Sequence, residues 1–146
     1  MTPNITVTPA KASELEAAQI FYESRGYGGA AITANDFVVL AKDHDRIVGV
    51  GRLTQEHGNL WLRGMQVEPS LQRNGIGSRI LHLLESEIGS RVCCCLPYSH
   101  LHDFYEQAGF ELRVAGLPEQ MRLRLANYLK DGLDVIAMIR PAKVTA

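Results

Sequence analysis

The sequence has no long apolar run. None of its 146 residues belongs to a stretch near the roughly 18 consecutive apolar residues that a membrane-spanning helix needs. The opening residues, MTPNITVTPAKASELE, lack the charged segment followed by an apolar segment that is typical of a secretory signal. We therefore expect a cytoplasmic protein without a membrane partner.

The chain also lacks an excess of charge of either sign. Fifteen lysines and arginines stand against sixteen aspartates and glutamates, so the formal net charge is -1. A general nucleic-acid binder has a marked basic excess. The balance of charge therefore argues against a nucleic-acid partner. With 46% hydrophobic residues, a chain of this length suits a single domain spanning residues 1–146.

Cysteine is scarce, and its three copies are consecutive, from Cys93 to Cys95. Neighbouring side chains on a strand point to opposite faces, so these thiols match neither a CxxC redox pair nor a zinc knuckle. We interpret them as small strand residues that pack like alanine or valine. His100 and His102 do not complete a metal site with them, because residues two apart do not share a helix face. We therefore expect no bound metal.

Hydrophobic periodicity divides the chain into alternating elements. Ser13 is expected to cap the first helix and Gly26 to end it. The predicted strands cover residues 4–9, 36–43, 46–55, 59–69, 91–97, 110–116 and 133–141, and the predicted helices cover 12–26, 76–89, 99–109 and 117–132. This order predicts an α/β (α+β) fold, in which helices flank a mixed, mostly antiparallel central sheet of about seven strands.

The segment VEPSLQRNGIGSRILHLLE, residues 67–85, joins a strand to a helix through two glycines. Pro69 lacks the N–H that a strand ladder needs, and a helical repeat of apolar residues starts at Ile76. Gly75 and Gly77 therefore lie at a helix N-terminus. There the first N–H groups have no internal partner, and the helix dipole favours an anion. The segment predicts a loop that holds a phosphate with its backbone.

Side chains beside the glycines favour the same prediction. Arg73 and Arg79 are placed to add charge-assisted hydrogen bonds to phosphate oxygens, and Ser78 offers a hydroxyl. Three alternatives fit less well. A Walker A loop needs Gly-Lys-Ser or Gly-Lys-Thr, which the sequence lacks, and a dinucleotide fingerprint needs a third glycine where Ile80 stands. A plain hairpin turn at residues 74–75 needs strand alternation on both sides, but the period that follows is helical.

The strand, the QRNGIG sequence and the helix together resemble motif A of the GNAT superfamily of N-acetyltransferases. That motif has glutamine or arginine, then two residues, a glycine, one residue, and glycine or alanine, and its loop holds the pyrophosphate of acetyl-CoA. Gln72, Asn74, Gly75 and Gly77 fall on this pattern. The resemblance implies a GNAT-like acyl-CoA acyltransferase fold with acetyl-CoA as co-substrate. It also implies coenzyme contacts from Gln72, Arg73, Asn74, Gly75, Ile76, Gly77 and Ser78.

A second segment, FYEQAGFEL, is similar to the family segment in which a helix tyrosine approaches the coenzyme sulfur. The resemblance implies that Tyr105 is the general acid and that Phe104 contacts the coenzyme. A phenol with a reference pKa of ~10 is protonated at neutral pH and can give its proton to a leaving thiolate. The alternative is a purely structural Tyr105, in an apolar stripe with Leu101, Phe104 and Ala108.

In the family, the fourth and fifth strands splay apart. The free edge of the fourth strand then binds the pantetheine arm and donates an N–H to the thioester oxygen. The resemblance implies that Met65, Gln66 and Val67 form this edge here.

The sequence departs from the family pattern at two places. Many relatives have an asparagine seven residues before the tyrosine, but this chain has Tyr98. Some relatives have a glutamate base on the fourth strand, which here offers Trp61 and Arg63 instead. No general base is therefore assigned, although Glu68, His100 and His102 are candidates to relay the proton of the amine through water.

The resemblance implies an N-acetyltransferase that acts on a primary amine of a small molecule or peptide, by direct attack in a ternary complex. Two alternatives stay open: a catalytically silent acyl-CoA-binding or regulatory domain on the same fold, and a phosphate-binding module unrelated to coenzyme A. We expect residues 26–36, 98–102 and 118–130 to determine which acceptor amine binds. Arg52 and Arg63 either receive an acidic group of the acceptor or are solvated strand residues. The sequence leaves open a homodimer.

Overall fold

The computed structural model describes residues 4–143. The strands are β1 (Ile5–Pro9), β2 (Phe37–Asp43), β3 (Arg46–Glu56), β4 (Asn59–Val67), β5 (Cys93–Cys95), β6 (Glu111–Leu112) and β7 (Met138–Arg140), and the α-helices are α1 (Leu15–Ser24), α2 (Ile76–Ile88), α3 (His102–Glu106) and α4 (Glu119–Lys130). These elements follow the predicted order. Within residues 4–143, no helix is long and apolar enough to cross a membrane.

The seven strands form one sheet in the order β1-β2-β3-β4-β5-β7-β6. β1 and β3 each pair antiparallel with β2, and β5 and β6 each pair antiparallel with β7. β4 and β5 run parallel where Trp61 lies opposite Cys94. The predicted mixed, mostly antiparallel sheet is therefore confirmed.

The chain groups into two compact units. The first comprises residues 4–54 together with Leu62–Glu87, and the second comprises Gln55–Trp61 together with residues 88–143. In the first unit, Ala18 and Tyr22 of α1 pack against Val38, Leu40 and Val50. In the second, the core consists of Trp61, Cys94, Met121, Ala137 and Ile139. The prediction of a single domain over residues 1–146 stays a prediction.

Two glycines of β3 allow α2 to lie close to the sheet. A Cβ at Gly51 would lie 2.8 Å from Ile80 Cγ2 and 3.1 Å from Leu84 Cδ1. A Cβ at Gly49 would lie 3.0 Å from Ile80 Cδ1. These distances are below ordinary van der Waals contact, so larger side chains on β3 would force α2 away. The close approach determines where the N-terminus of α2 lies.

The start of α1 differs from the prediction. Residues 12–14 form a 3-10 turn, and Ser13 lies inside it rather than at a cap. The capping group is Glu14, whose Oε1 accepts a hydrogen bond from the Lys11 N–H at 2.9 Å. This hydrogen bond, aided by the Lys42 ammonium, lowers the pKa of Glu14. The predicted end is confirmed, since Gly26 follows α1 with a φ of 68°.

Arg140 of β7 is a buried cation that binds carbonyl groups at two helix ends. Its Nε donates to the Ala108 carbonyl at 2.8 Å, and its Nη1 donates to the Gly89 carbonyl at 2.6 Å. These carbonyls follow α3 and α2, where the last carbonyls of a helix lack internal donors and the helix dipole favours a cation. Arg140 therefore satisfies the buried carbonyl of Ala108 and the partly buried carbonyl of Gly89.

We predict that Arg140→Met lowers the free energy of unfolding by about 2–4 kcal/mol, because it removes a charged donor from the buried Ala108 carbonyl and from the partly buried Gly89 carbonyl. Chemical denaturation measures this change. The matched control is Arg122→Met, which alters an exposed arginine of α4 and should change stability by less than about 0.5 kcal/mol. Equal effects of the two substitutions would contradict the role of Arg140.

Candidate active site

The loop before α2 has the backbone shape of an anion-binding turn. Arg73 and Gly75 have φ values of 69° and 78°, both in the left-handed region. The Arg79 N–H donates to the Gly75 carbonyl at 3.1 Å and so closes the first turn of α2. The N–H groups of residues 76–78 precede this closure, and a helix offers no internal acceptor for such groups. They are available to an external acceptor.

Two side chains of the loop bind its own backbone. Gln72 Nε2 donates to the Val67 carbonyl at 3.0 Å, and Asn74 Nδ2 donates to the Leu71 carbonyl at 3.2 Å. The first bond connects the loop to the end of β4, and the second connects it to the 3-10 turn at Pro69–Leu71. The amide groups of Gln72 and Asn74 therefore hold the loop in shape.

The loop is open to solvent, apart from one residue. Residues 72–75 and Ser78 are exposed, whereas the side chain of Ile76 is buried. Arg79 Nη2 donates to the Ile5 carbonyl at 3.1 Å, so this arginine is engaged with β1. Arg73 makes no ion pair within the described residues. Of the two arginines named from the sequence, Arg73 is the one free to meet an anion.

β4 contains a sharp local change of backbone direction at Gly64, whose φ is 66°. The Tyr22 hydroxyl donates to the Gly64 carbonyl at 2.7 Å, and a Cβ at Gly64 would lie 2.3 Å from that hydroxyl. We call this feature the Gly64 kink. Sequence reasoning missed it, although a glycine inside a strand pattern is the usual signal.

The predicted coenzyme-binding edge follows the Gly64 kink directly. Met65, Gln66 and Val67 are half-buried residues at the end of β4. The register of β4 with β5 consists of the pair Trp61 and Cys94, whereas β4 continues to Val67. The pairing with β5 therefore involves only the first part of β4.

Tyr105 lies on α3 and is buried, with 4% of its surface exposed. Its ring packs edge-on against Phe104 and Phe110, with centroid distances of 4.9 and 6.0 Å. The packing agrees with the structural alternative, and it does not conflict with a catalytic hydroxyl. The role of Tyr105 as general acid stays a prediction.

Two of the three candidate bases have charged partners. Glu68 Oε2 lies 2.5 Å from Arg46 Nη1. His102 Nδ1 lies 3.0 Å from Asp103 Oδ1, and its Nε2 lies 3.7 Å from Glu106 Oε2. The exposed His100 instead stacks on Tyr98 with a centroid distance of 6.0 Å. The three candidate bases therefore differ in their surroundings: Glu68 and His102 have charged partners, whereas His100 stacks on an aromatic ring.

A group of potential metal ligands lies on α3. One ligand atom from each of His102, Asp103 and Glu106 lies within 4.8 Å of the others. Sequence reasoning considered His100 and the cysteines with His102, but not these carboxylates. Asp103 and Glu106 are exposed, and exposed acidic groups of this kind are common in proteins without an ion.

Arg52 is neither solvated nor exposed, contrary to one of the two expectations for it. It is fully buried, its Nη1 lies 3.1 Å from Asp36 Oδ2, and its Nη2 donates to the Ala30 carbonyl. Its guanidinium lies 5.4 Å from the ring centroid of Tyr22 and 5.9 Å from that of Tyr27. Arg52 thus holds residues 26–36, the loop expected to choose the acceptor.

The three cysteines form β5 and are buried and free, which confirms that they pack as small strand residues. Burial raises the pKa of the Cys94 thiol, and it raises that of Cys95 well above its usual range. Thiols in such surroundings are protonated at neutral pH and react slowly. The structure therefore gives no support to a cysteine nucleophile.

Comparisons with known proteins agree with the fold and the motifs. A family profile described as "Acetyltransferase (GNAT) domain" matches residues 34–112. The ribosomal-protein-S18-alanine N-acetyltransferase from Escherichia coli is 16% identical, with a TM-score of 0.69 over 97% of this chain and 96% of the other. The aminoglycoside 6'-N-acetyltransferase from Enterococcus faecium is 18% identical, with a TM-score of 0.65 over 97% and 99% of the two chains.

A third structure is an aminoglycoside 6'-N-acetyltransferase in complex with coenzyme A. It is also 18% identical, with a TM-score of 0.65 over 97% of this chain and 99% of the other. Identities at this level show a shared fold and nothing finer. No curated protein matches the chain by sequence.

We predict that the three thiols react with an aromatic disulfide reagent at least about 100-fold more slowly in the native protein than in denaturant. The reason is that burial keeps all three thiols out of reach of the reagent and raises the pKa of the Cys94 and Cys95 thiols. Absorbance of the released aryl thiolate measures the rate. Rapid reaction of even one thiol in the folded protein would contradict this interpretation.

Proposed function

Because the chain belongs to the GNAT family of acetyltransferases, we propose that it transfers the acetyl group of acetyl-CoA to a primary amine of a small molecule or peptide. The amine attacks directly, in a ternary complex. One observation carries this proposal: the exposed loop at residues 72–78 presents N–H groups without internal acceptors at the start of α2. A diphosphate is the anion that such a loop and helix dipole fit best.

The coenzyme would be held mainly by backbone groups. The N–H groups of residues 75–78 bind pyrophosphate oxygens, Arg73 adds a charge-assisted bond, and the Ser78 hydroxyl adds another. Ile76 contributes its N–H alone, because its side chain is buried. Gln72 and Asn74 support the loop through their bonds to Val67 and Leu71. The donor set suits a phosphate, since each donor is neutral or positive.

The acyl group would be placed along the end of β4. Met65 and Val67 follow the Gly64 kink, and Gln66 lies between them. We assign to the Met65 N–H a hydrogen bond to the thioester oxygen, whose negative charge grows as the amine attacks. Residues 65–67 offer backbone groups to the pantetheine arm, and Phe104 offers an apolar wall. Tyr105 gives the proton of its hydroxyl to the leaving thiolate, and the attacking amine nitrogen releases a proton to water, from which the Tyr105 hydroxyl is restored.

A catalytically silent acyl-CoA-binding domain is the second candidate, and the burial of Tyr105 favours it, since only 4% of this residue is exposed. Release of free thiol from acetyl-CoA, measured against a panel of primary amines, separates the two. Amine-dependent thiol release supports the enzyme. Tight binding of acetyl-CoA by calorimetry without such release supports the silent domain, and absence of binding contradicts both.

We predict that Tyr105→Phe lowers kcat by about 10²-fold or more, because the thiolate then leaves without a proton donor. The edge-on packing against Phe104 and Phe110 remains, since phenylalanine keeps the ring. Steady-state kinetics measure kcat, and calorimetry should show acetyl-CoA affinity within about threefold of the unmodified protein. An unchanged kcat would remove the acid role.

We predict that Gly75→Ala weakens acetyl-CoA binding by about tenfold or more, because alanine disfavours the φ of 78° that aims the loop amides. The control is Gly58→Ala in the turn between β3 and β4. Gly58 has a φ of 79°, and an added Cβ has no atom within 4 Å at either glycine, so the two substitutions carry a similar backbone strain. Calorimetry should find weaker acetyl-CoA binding only for Gly75→Ala. An equal loss of binding in both variants would contradict the proposal that the loop at residues 72–78 binds the pyrophosphate.

A further inference from the structure

A buried cation lies beneath the loop of residues 26–36. Arg52 is fully buried, and burying a charge is costly unless it is paired and hydrogen-bonded. Its partner Asp36 is itself buried, with 7% of its side chain exposed. Asp36 Oδ2 also accepts the Thr33 N–H at 2.9 Å, and Arg52 donates to the Ala30 carbonyl. The Arg52–Asp36 pair therefore holds the loop at two places: in its middle, through the bonds to Ala30 and Thr33, and at its end, at Asp36.

The same guanidinium packs against Tyr22, and its central carbon lies 5.4 Å from the centroid of the Tyr22 ring. The Tyr22 ring in turn stacks on Tyr27, with 4.5 Å between the two centroids. Arg52 Nε has no hydrogen-bond partner in the described part of the chain, whereas the guanidinium carbon lies in cation–π geometry over the rings of Tyr22 and Tyr27. Such a contact is strongest when water is excluded. The position of the Tyr22 ring is therefore linked to that of Arg52.

The other end of Tyr22 meets the Gly64 kink. The hydroxyl donates to the Gly64 carbonyl at 2.7 Å, and burial raises the pKa of this hydroxyl, which keeps it protonated as a donor. The hydroxyl also fills the space where a Cβ at Gly64 would lie. Glycine adopts positive and negative φ values about equally readily, so this backbone conformation needs a restraint from its surroundings. The Tyr22 hydroxyl supplies that restraint.

We propose that Tyr22 is a positioning residue for acyl transfer: its hydroxyl holds the Gly64 kink, while the Arg52–Asp36 pair links the same tyrosine to residues 26–36. The inference rests on the proposed function, in which the Met65 N–H binds the thioester oxygen. Rotation of the peptide at Gly64 tilts the next N–H, and a small misalignment of such a donor is costly in rate. Order in the acceptor loop and alignment of this donor therefore depend on each other.

The test is Tyr22→Phe, which removes one hydroxyl and keeps the ring against Arg52. We expect kcat to fall by about tenfold, with KM for acetyl-CoA within about twofold, since the phosphate loop is untouched. Amide hydrogen exchange of the peptide spanning residues 62–68 should be faster. Exchange of the loop at residues 72–78 should be unchanged.

The matched control is Ser24→Ala on the same helix. Ser24 Oγ donates to the Phe21 carbonyl at 2.7 Å, so this substitution also removes a hydroxyl bound to a backbone carbonyl, but at an exposed site. It should change neither kcat nor exchange at residues 62–68. A fall in kcat as large as that of Tyr22→Phe would show a general effect of α1 and overturn the proposal.

A second variant tests the link to the acceptor loop. Arg52→Lys keeps the charge but loses the planar contact with Tyr22, so exchange should become faster both at residues 26–36 and at residues 62–68. Faster exchange in the loop alone would overturn the link through Tyr22.

The outcomes for the two proposals are separable. If the unmodified protein releases no thiol with any amine, the proposed function fails, while exchange in Tyr22→Phe still decides whether the hydroxyl holds the Gly64 kink. If the unmodified protein is active and Tyr22→Phe changes neither kcat nor exchange, the positioning role is wrong. Faster exchange with an unchanged kcat also overturns that role.

Discussion

The position of α2 on β3 is the constraint on which the candidate site depends. Gly49 and Gly51 leave no side chain between the strand and Ile80, so the helix lies close to the sheet. The amphipathic pattern of α2 buries Ile76, Ile80 and Leu84 on this side. Because Ile76 is also the first helical residue, the same packing fixes the helix N-terminus and its unpaired N–H groups. Helix packing and the proposed anion binding thus involve one set of residues.

Two buried arginines perform related tasks in the two compact units. Arg140 binds carbonyls that follow helices, and Arg52 binds a carboxylate and a loop carbonyl. In each case the buried guanidinium donates hydrogen bonds to negatively polarised or charged oxygens, which offsets the free-energy cost of removing its charge from water. Arg140 stabilises elements of the fold, whereas Arg52 organises the loop at residues 26–36, which we expect to choose the acceptor. Burial alone therefore does not separate a structural arginine from one that supports a site.

Much of the site could be predicted from the sequence because its signals are local. The turn at residues 72–78 requires glycine and precedes a strong helical period, and α2 begins and ends as predicted, at Ile76 and before Gly89. The three cysteines were interpretable from strand alternation alone. The predicted cap at Ser13 was wrong because the backbone enters a 3-10 turn at Ala12, so Ser13 lies inside the turn and Lys11 is at its N-cap. Cap position depends on a single turn of backbone, which a periodic pattern does not resolve.

The sequence by itself determined the order of the strands and helices, the glycine-containing loop before α2 and the resemblance to GNAT acetyltransferases. Each of these depends on residues that are close together in the chain. Only the tertiary structure decided that Arg52 is buried against Tyr22 and that Tyr22 reaches Gly64, 42 positions along the chain. It also decided that Arg79 binds the carbonyl of Ile5, 74 positions away in the chain. These partners meet through the pairing of strands and the packing of helices, and no local pattern of side chains encodes such a meeting.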